Sequence, residues 1–269
     1  MKKIILSAAV ILMAMSAKAQ GFYGDVSVGY GFGAPNYVMG TKSYTDVLNA
    51  SNNTKENIYG SVGQGLNIAL TPGYMINKHF GVELGINYFI GAKKTIEEST
   101  TNLSDIYSIR KAQSNQLRLI PSIVVSSGGD KLSVYAKGGL MIPVLGVTNI
   151  DIEGSNITGG GVVKTEAESE FKGHVSVGFR GALGVNYMVN EKLGVFLEVQ
   201  QTNLFIKQKS NTITSYKVNG NDVLGSMTEE QKVTNYVDEI NSSSKPNDAL
   251  AGKTNFNQFG VNVGVKFNF

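Results

Sequence analysis

Beyond residue 20, apolar side chains recur at every second position in eight segments, separated alternately by very short and long connections. A period of two is the signature of strands that keep one face apolar. Residues 21–33 set Phe22, Val26, Val28, Tyr30 and Phe32 against Tyr23, Asp25, Ser27, Gly29 and Gly31. Residues 59–75 set Val62, Leu66, Ile68, Leu70 and Tyr74 against Gly63, Gly65, Asn67, Ala69 and Gly73, and residues 80–91 alternate Val82, Leu84, Ile86 and Tyr88 with Gly81, Glu83, Gly85 and Asn87. Segments 113–125, 131–144, 171–188 and 193–207 carry Arg118, Lys137, Arg180 and Glu198 on their polar faces, although the phase of 193–207 blurs after Gln201. The last, residues 254–269, places Lys266 opposite Phe259, Val261, Val263, Val265, Phe267 and Phe269.

The stretch Tyr74 to Val82 is echoed by Tyr187 to Val195 at an offset of 113 residues, so Asn77 and Asn190 occupy equivalent turns. Those turns, with Ser127-Gly128-Gly129-Asp130, fall at one end of the structure. The polar connections 34–58, 92–112, 145–170 and 208–253 fall at the other. In the last of them, capping signals at 226–231 precede Val233, Tyr236, Val237 and Ile240, a spacing that predicts a short amphipathic helix. Tyr44, Val47 and Leu48 suggest a second helix, and Asn219-Gly220 a hairpin tip.

Periodicity alone does not say which face is the core. Side-chain size does, because the polar faces are rich in glycine while the opposite faces carry Val, Leu, Ile, Phe and Tyr. A narrow barrel interior suits small and polar residues, and an outer wall against lipid takes large ones. The pattern predicts an all-β, eight-stranded, antiparallel up-and-down transmembrane barrel with short turns on one side and long loops on the other. Phe22, Tyr74, Phe80, Tyr187, Phe267 and Phe269 would form one aromatic girdle, and Tyr30, Phe32, Tyr88 and Phe171 the other.

Composition supports this picture. The 32 glycines exceed the roughly 19 expected at this length, and fourteen on the polar faces account for the excess. Met1-Lys2-Lys3, an apolar run to Met15 and Ala17-Lys18-Ala19 predict a signal peptide over residues 1–19, with the barrel domain over 20–269. The formal charge of +3 rests on three leader lysines, so the remaining chain is neutral and offers no basic patch for nucleic acid. With no Cys, disulfides and thiolate metal sites are excluded.

The leader, the eight-strand meander and the ending Phe259-Gly260-Val261-Asn262-Val263-Gly264-Val265-Lys266-Phe267-Asn268-Phe269 together resemble the small outer-membrane β-barrel family of Gram-negative bacteria. That resemblance implies a location in the outer membrane, contact with outer-membrane lipids and lipopolysaccharide, and an alternating C-terminus presented to the barrel assembly machinery.

Strand parity points Asp25, Glu83 and Glu198 into the lumen together with Arg118, Lys137, Arg180 and Lys266. Adjacent strands suggest the pairs Glu83 with Arg118, Arg180 with Glu198, and Asp25 with Lys266. Paired charges of this kind would plug the lumen. His174 and Ser176 share the His-x-Ser spacing of some outer-membrane lipid A deacylases, but lumen-facing parity sets them away from an acyl chain. Glu166, Glu168 and Glu170 read as a solvated acidic run rather than a cation site. Lys93, Lys94, Arg110, Lys111, Lys172, Lys207 and Lys209 collect at the outer strand ends, where they could neutralise lipid phosphates. The expected function is a non-enzymatic, cofactor-free and metal-free barrel with a plugged lumen and a structural or surface-interaction role in its loops. The alternative is a porin-like narrow channel for small or apolar solutes.

Overall fold

A computed structural model of the chain describes residues 21–103 and 105–269, and the leader expected over residues 1–19 lies outside them. Eight wall strands form the barrel: β1 (Phe22–Gly33), β2 (Gly65–Met75), β3 (Phe80–Gly91), β4 (Tyr107–Ser126), β5 (Leu132–Thr158), β6 (Gly178–Met188), β7 (Leu193–Asn203) and β8 (Gln258–Asn268). Each pairs antiparallel with the next, and β8 returns to β1, which closes the ring. Closure leaves no terminal strand unpaired along its length against lipid.

The stagger sets the width. Following paired residues from Ile142 through Leu119, Ile86, Leu70, Val26, Val265, Val195 and Tyr187 returns to β5 at Leu132, ten residues from the start. With eight strands, that offset tilts them by about 40° and leaves an interior just wide enough for side chains. Burial is inverted relative to a soluble protein. Glu198 is 2% exposed and Arg118 0%, whereas Val28 is 46% and Leu197 52% exposed. A continuous apolar outer wall around a polar core is the arrangement a bilayer requires.

The two echoed turns fold alike. Asn77 Oδ1 accepts from the amides of His79 and Phe80 at 2.8 and 2.9 Å, and Asn190 Oδ1 from those of Lys192 and Leu193 at 2.9 Å each. At the opposite end the expected loops are largely sheet. Lys94–Thr101 continues along β4, Gly161–Gly173 along the outer half of β5, and Phe205–Val218 along Gly161–Gly173. Most positions on both faces of these ladders are polar, so no sustained apolar alternation marks them.

Three expectations need correction. The helix proposed after residue 226 is a single turn, Glu229–Lys232, capped by Thr228 and Gln231; Val233–Val237 then runs as a strand against residues 210–212. Its β-branched and aromatic residues had a ladder to join, and pairing prevailed over the weak helical stripe. Near Tyr44 the chain forms strand Val38–Thr45 and a short 3-10 turn, Ala50–Asn52, rather than a helix. Phe171 is 5% exposed and packs on Tyr236 inside the outer extension instead of in the girdle. Inward residues are even-numbered in β6 but odd-numbered at Ala167, Ser169 and Phe171, because the irregular segment 174–177 interrupts the strand and flips its phase. Asn219 and Gly220 do form the tight hairpin tip, with φ of 48° and 80°.

Candidate functional site in the barrel interior

Lys137, on β5, sends its long unbranched side chain into the lumen from a point where the opposite walls are within reach. Its Nζ lies 3.0 Å from Glu83 Oε2, 3.5 Å from Glu198 Oε2 and 3.7 Å from Asp25 Oδ2, so carboxylates from β3, β7 and β1 converge on one ammonium. Arg180 Nη2 forms an ion pair with Glu198 Oε1, which also accepts from Asn262 Nδ2 at 3.0 Å. Three acids and three bases, counting Lys266, thus balance within one layer. A charge in a low-dielectric lumen is costly unless partnered, and the ion pairs of Lys137 and Arg180 offset that cost for the three acids.

Aromatic side chains hold this layer in place. Tyr23 donates to Glu83 Oε2 at 3.1 Å and Tyr135 to Glu198 Oε2 at 3.3 Å. Lys137 Nζ lies 4.9 Å from the Tyr135 ring centroid and Lys266 Nζ 3.5 Å from that of Tyr23. Each ring rests on a directly paired glycine of the next strand: Tyr23 on Gly73, Tyr135 on Gly184 and Phe196 on Gly264. A Cβ added at those glycines would come within 2.3, 2.3 and 2.4 Å of ring carbon atoms. These aromatics escape a reading based on charge alone. Their signal is a large ring on the polar face opposite a glycine.

Two of the three expected charge pairs form differently. Glu83 meets Lys137, not Arg118, because it pairs across β3 and β4 with Ser122 while Arg118 pairs with Asn87. The four-residue offset is about 13 Å along a strand. Arg118 instead donates through Nε to Gln116 Oε1 at 2.8 Å and stacks with its guanidinium carbon 3.9 Å from the Phe89 centroid. Asp25 and Lys266 are register partners, yet the Asp25 ion pair is with Lys137 while Lys266 caps Tyr23. A double-mutant cycle on urea unfolding should therefore show strong coupling between Glu83 and Lys137. Glu83→Ala and Arg118→Ala should add to within about 0.5 kcal/mol.

Below the layer, a vestibule of about 200 Å³ lined by Lys78, Ser126 and Asn186 opens at the short-turn end. Above it, a cavity of about 30 Å³ lined by Asn67, Asn87, Gln200 and Asn262 has room for water. Higher still, Val62, Met141, Leu204, Ile206 and Phe256 pack together across the upper lumen. Leu204 and Ile206 explain the blurred phase after Gln201: alternation continues, but the inward residues become apolar.

The remaining candidates lie outside this layer. Ser176 Oγ donates to the His174 carbonyl at 3.1 Å rather than to its imidazole, and both residues sit in the irregular wall segment. Glu166, Glu168 and Glu170 lie along the strand Gly161–Gly173, and among the described residues no three metal-ligating side chains converge. Lys93 pairs with Asp151, Arg110 with Glu97 at 3.0 Å, and Lys207 with Asp238 at 2.5 Å. The Lys207 ammonium holds the Asp238 carboxyl below the usual carboxylate range. The terminal Phe259, Val261, Val263, Val265, Phe267 and Phe269 lie along the outer side of β8, the strand that closes the ring.

A closed, tilted eight-strand ring, apolar outside and charged within, is the architecture of an outer-membrane β-barrel protein. The chain belongs to the family of the outer membrane protein beta-barrel domain, whose match spans residues 5–267. Similar solved structures include OprG from Pseudomonas aeruginosa, with 15% identity, 94% of this chain and 97% of that one covered, and a TM-score of 0.45. Neisserial surface protein A gives 13%, 94%, 99% and 0.41, and the outer membrane protease OmpT from Escherichia coli 9%, 94%, 98% and 0.35. No curated protein matches the chain.

Proposed function

We propose that this outer-membrane barrel is a non-conducting structural and surface-interaction protein, its lumen plugged by the Lys137 layer and its work done by the extended outer sheet. The observation that carries this reading is the convergence of carboxylates from three strands on the Lys137 ammonium at 3.0 to 3.7 Å. An ion crossing that layer would have to break several ion pairs in a low-dielectric interior, which costs several kcal/mol per uncompensated charge. The apolar cluster around Phe256 adds a second barrier above it.

The outer sheet, which exposes Ile157 and Val162 at one hairpin tip, offers the surface for a partner. The Ser176 hydroxyl donates to the His174 backbone carbonyl and not to its imidazole, so the two make no nucleophile and base, and the reading is not that of an enzyme. The alternating outer side of β8 is the segment offered to the assembly machinery, and the basic outer strand ends meet lipopolysaccharide. Reconstitution into planar bilayers tests the plug. Purified protein is expected to give no stable unitary conductance in 1 M salt, while Lys137→Ala with Glu83→Ala gives measurable steps. Reproducible channels from the unaltered protein would replace this reading with a transport function.

A further inference from the structure

Among the described residues, the longest interruption of the wall ladders lies between β5 and β6. Met141 pairs with Gly178 and Thr148 with Phe171, in a constant register, yet residues 142–147 and 172–177 between them share no ladder. The opening runs roughly 20 Å along the strands. Its origin is local. Pro143 has no amide to donate, and the pairing of β4 with β5 slips by one residue at Pro143 and Leu145, so β5 bulges away from its neighbour. On the other edge, His174 to Val177 leave the strand conformation altogether.

A run of unsatisfied backbone groups is not tolerated in hydrocarbon unless something polar or a cavity receives it. Here a cavity of about 240 Å³ reaches from the outer wall to the lumen. Its mouth is formed by Val144, Leu145 and Val175, which are 41%, 67% and 81% exposed. Its inner end meets Phe171, Ile206 and Phe256, with Gln116 and Ser114 beside them. Lys172, His174 and Lys209 stand on the rim. Among the described residues, Lys172 and Lys209 have no ion-pair partner, and the nearby Asp238 is already engaged by Lys207.

We propose that this lateral opening binds a single-chain amphiphile with a carboxylate headgroup, the chain entering between Val144 and Val175 towards Phe256 and the carboxylate resting on Lys172, Lys209 and His174. Charge complementarity selects the anionic head. The cavity is slightly below the usual ligand-pocket range, which fits one chain and not the several chains of a surface lipid.

The test uses the full barrel in phosphatidylcholine vesicles, irradiated with a diazirine-bearing palmitate and digested for mass spectrometry. Adducts are expected to concentrate within residues 142–147 and 171–177. The corresponding diazirine-bearing hexadecanol should label these residues less, and K172Q/K209Q should lower palmitate labelling about tenfold. The alcohol comparison uses the unaltered protein, so it decides even if the double variant folds poorly. Adducts spread around the lipid-facing belt, equal labelling by acid and alcohol, or displacement of palmitate by stoichiometric lipid A would each overturn the proposal.

Discussion

Replacing Lys137 by Met should destabilise the barrel by about 3–5 kcal/mol, the largest loss expected of any single side-chain change in this chain. The substitution keeps most of the apolar stem but removes the one ammonium shared by Asp25, Glu83 and Glu198. Arg180 would still compensate Glu198. Glu83 would keep only its hydrogen bond from Tyr23, and two carboxylates would face a lumen with no cation in contact. The measurement is the urea midpoint in lipid vesicles, with the heat-modifiable band on a gel as a check that the folded form exists. Adding Asp25→Asn and Glu83→Gln to Lys137→Met should recover most of the loss, because the penalty lies in the uncompensated charges rather than in the missing contacts. A single variant as stable as the parent would show that the layer is solvated and that its ion pairs are incidental.

In the lumen layer, the side of the wall a charge occupies is legible in the sequence, whereas its partner is not. Strand parity placed all seven charged residues in the interior because parity is a local property, and a charge on the lipid side is too costly to be misassigned. Partner choice is not local. It depends on the stagger of ten residues around the ring, which separates Glu83 from Arg118 and brings Lys137 across to three strands at once. The outer sheet was hidden for a different reason. Residues such as Lys94–Thr101 are mostly polar on both faces, so their strands carry no sustained hydrophobic period. The opening beside Pro143 needed both edges together: the proline is visible in the sequence, but the absence of its partner ladder is not.

Glycine offers the sharpest contrast between what composition suggests and what packing requires. Gly184→Val should cost at least the 1–3 kcal/mol typical of overpacking, whereas Gly181→Ala, three residues earlier on the same strand, should be nearly neutral. A Cβ at Gly184 would lie 2.3 Å from Tyr135 Cζ and 2.4 Å from its hydroxyl, whereas one at Gly181 would meet nothing within 4 Å. The valine can be accommodated only if the Tyr135 ring leaves its seat. That movement removes the hydrogen bond to Glu198 and the ring beneath Lys137, so the damage passes from packing to the charge layer. Vesicle urea titrations of the two single variants and of Gly184→Val with Tyr135→Ala separate the contributions. The double variant should regain the packing loss but not the hydrogen bond, and should fall between Gly184→Val and the parent. If Gly184→Val and Gly181→Ala shift the midpoint equally, the glycines of the polar face merely save space and do not seat the rings that position the carboxylates.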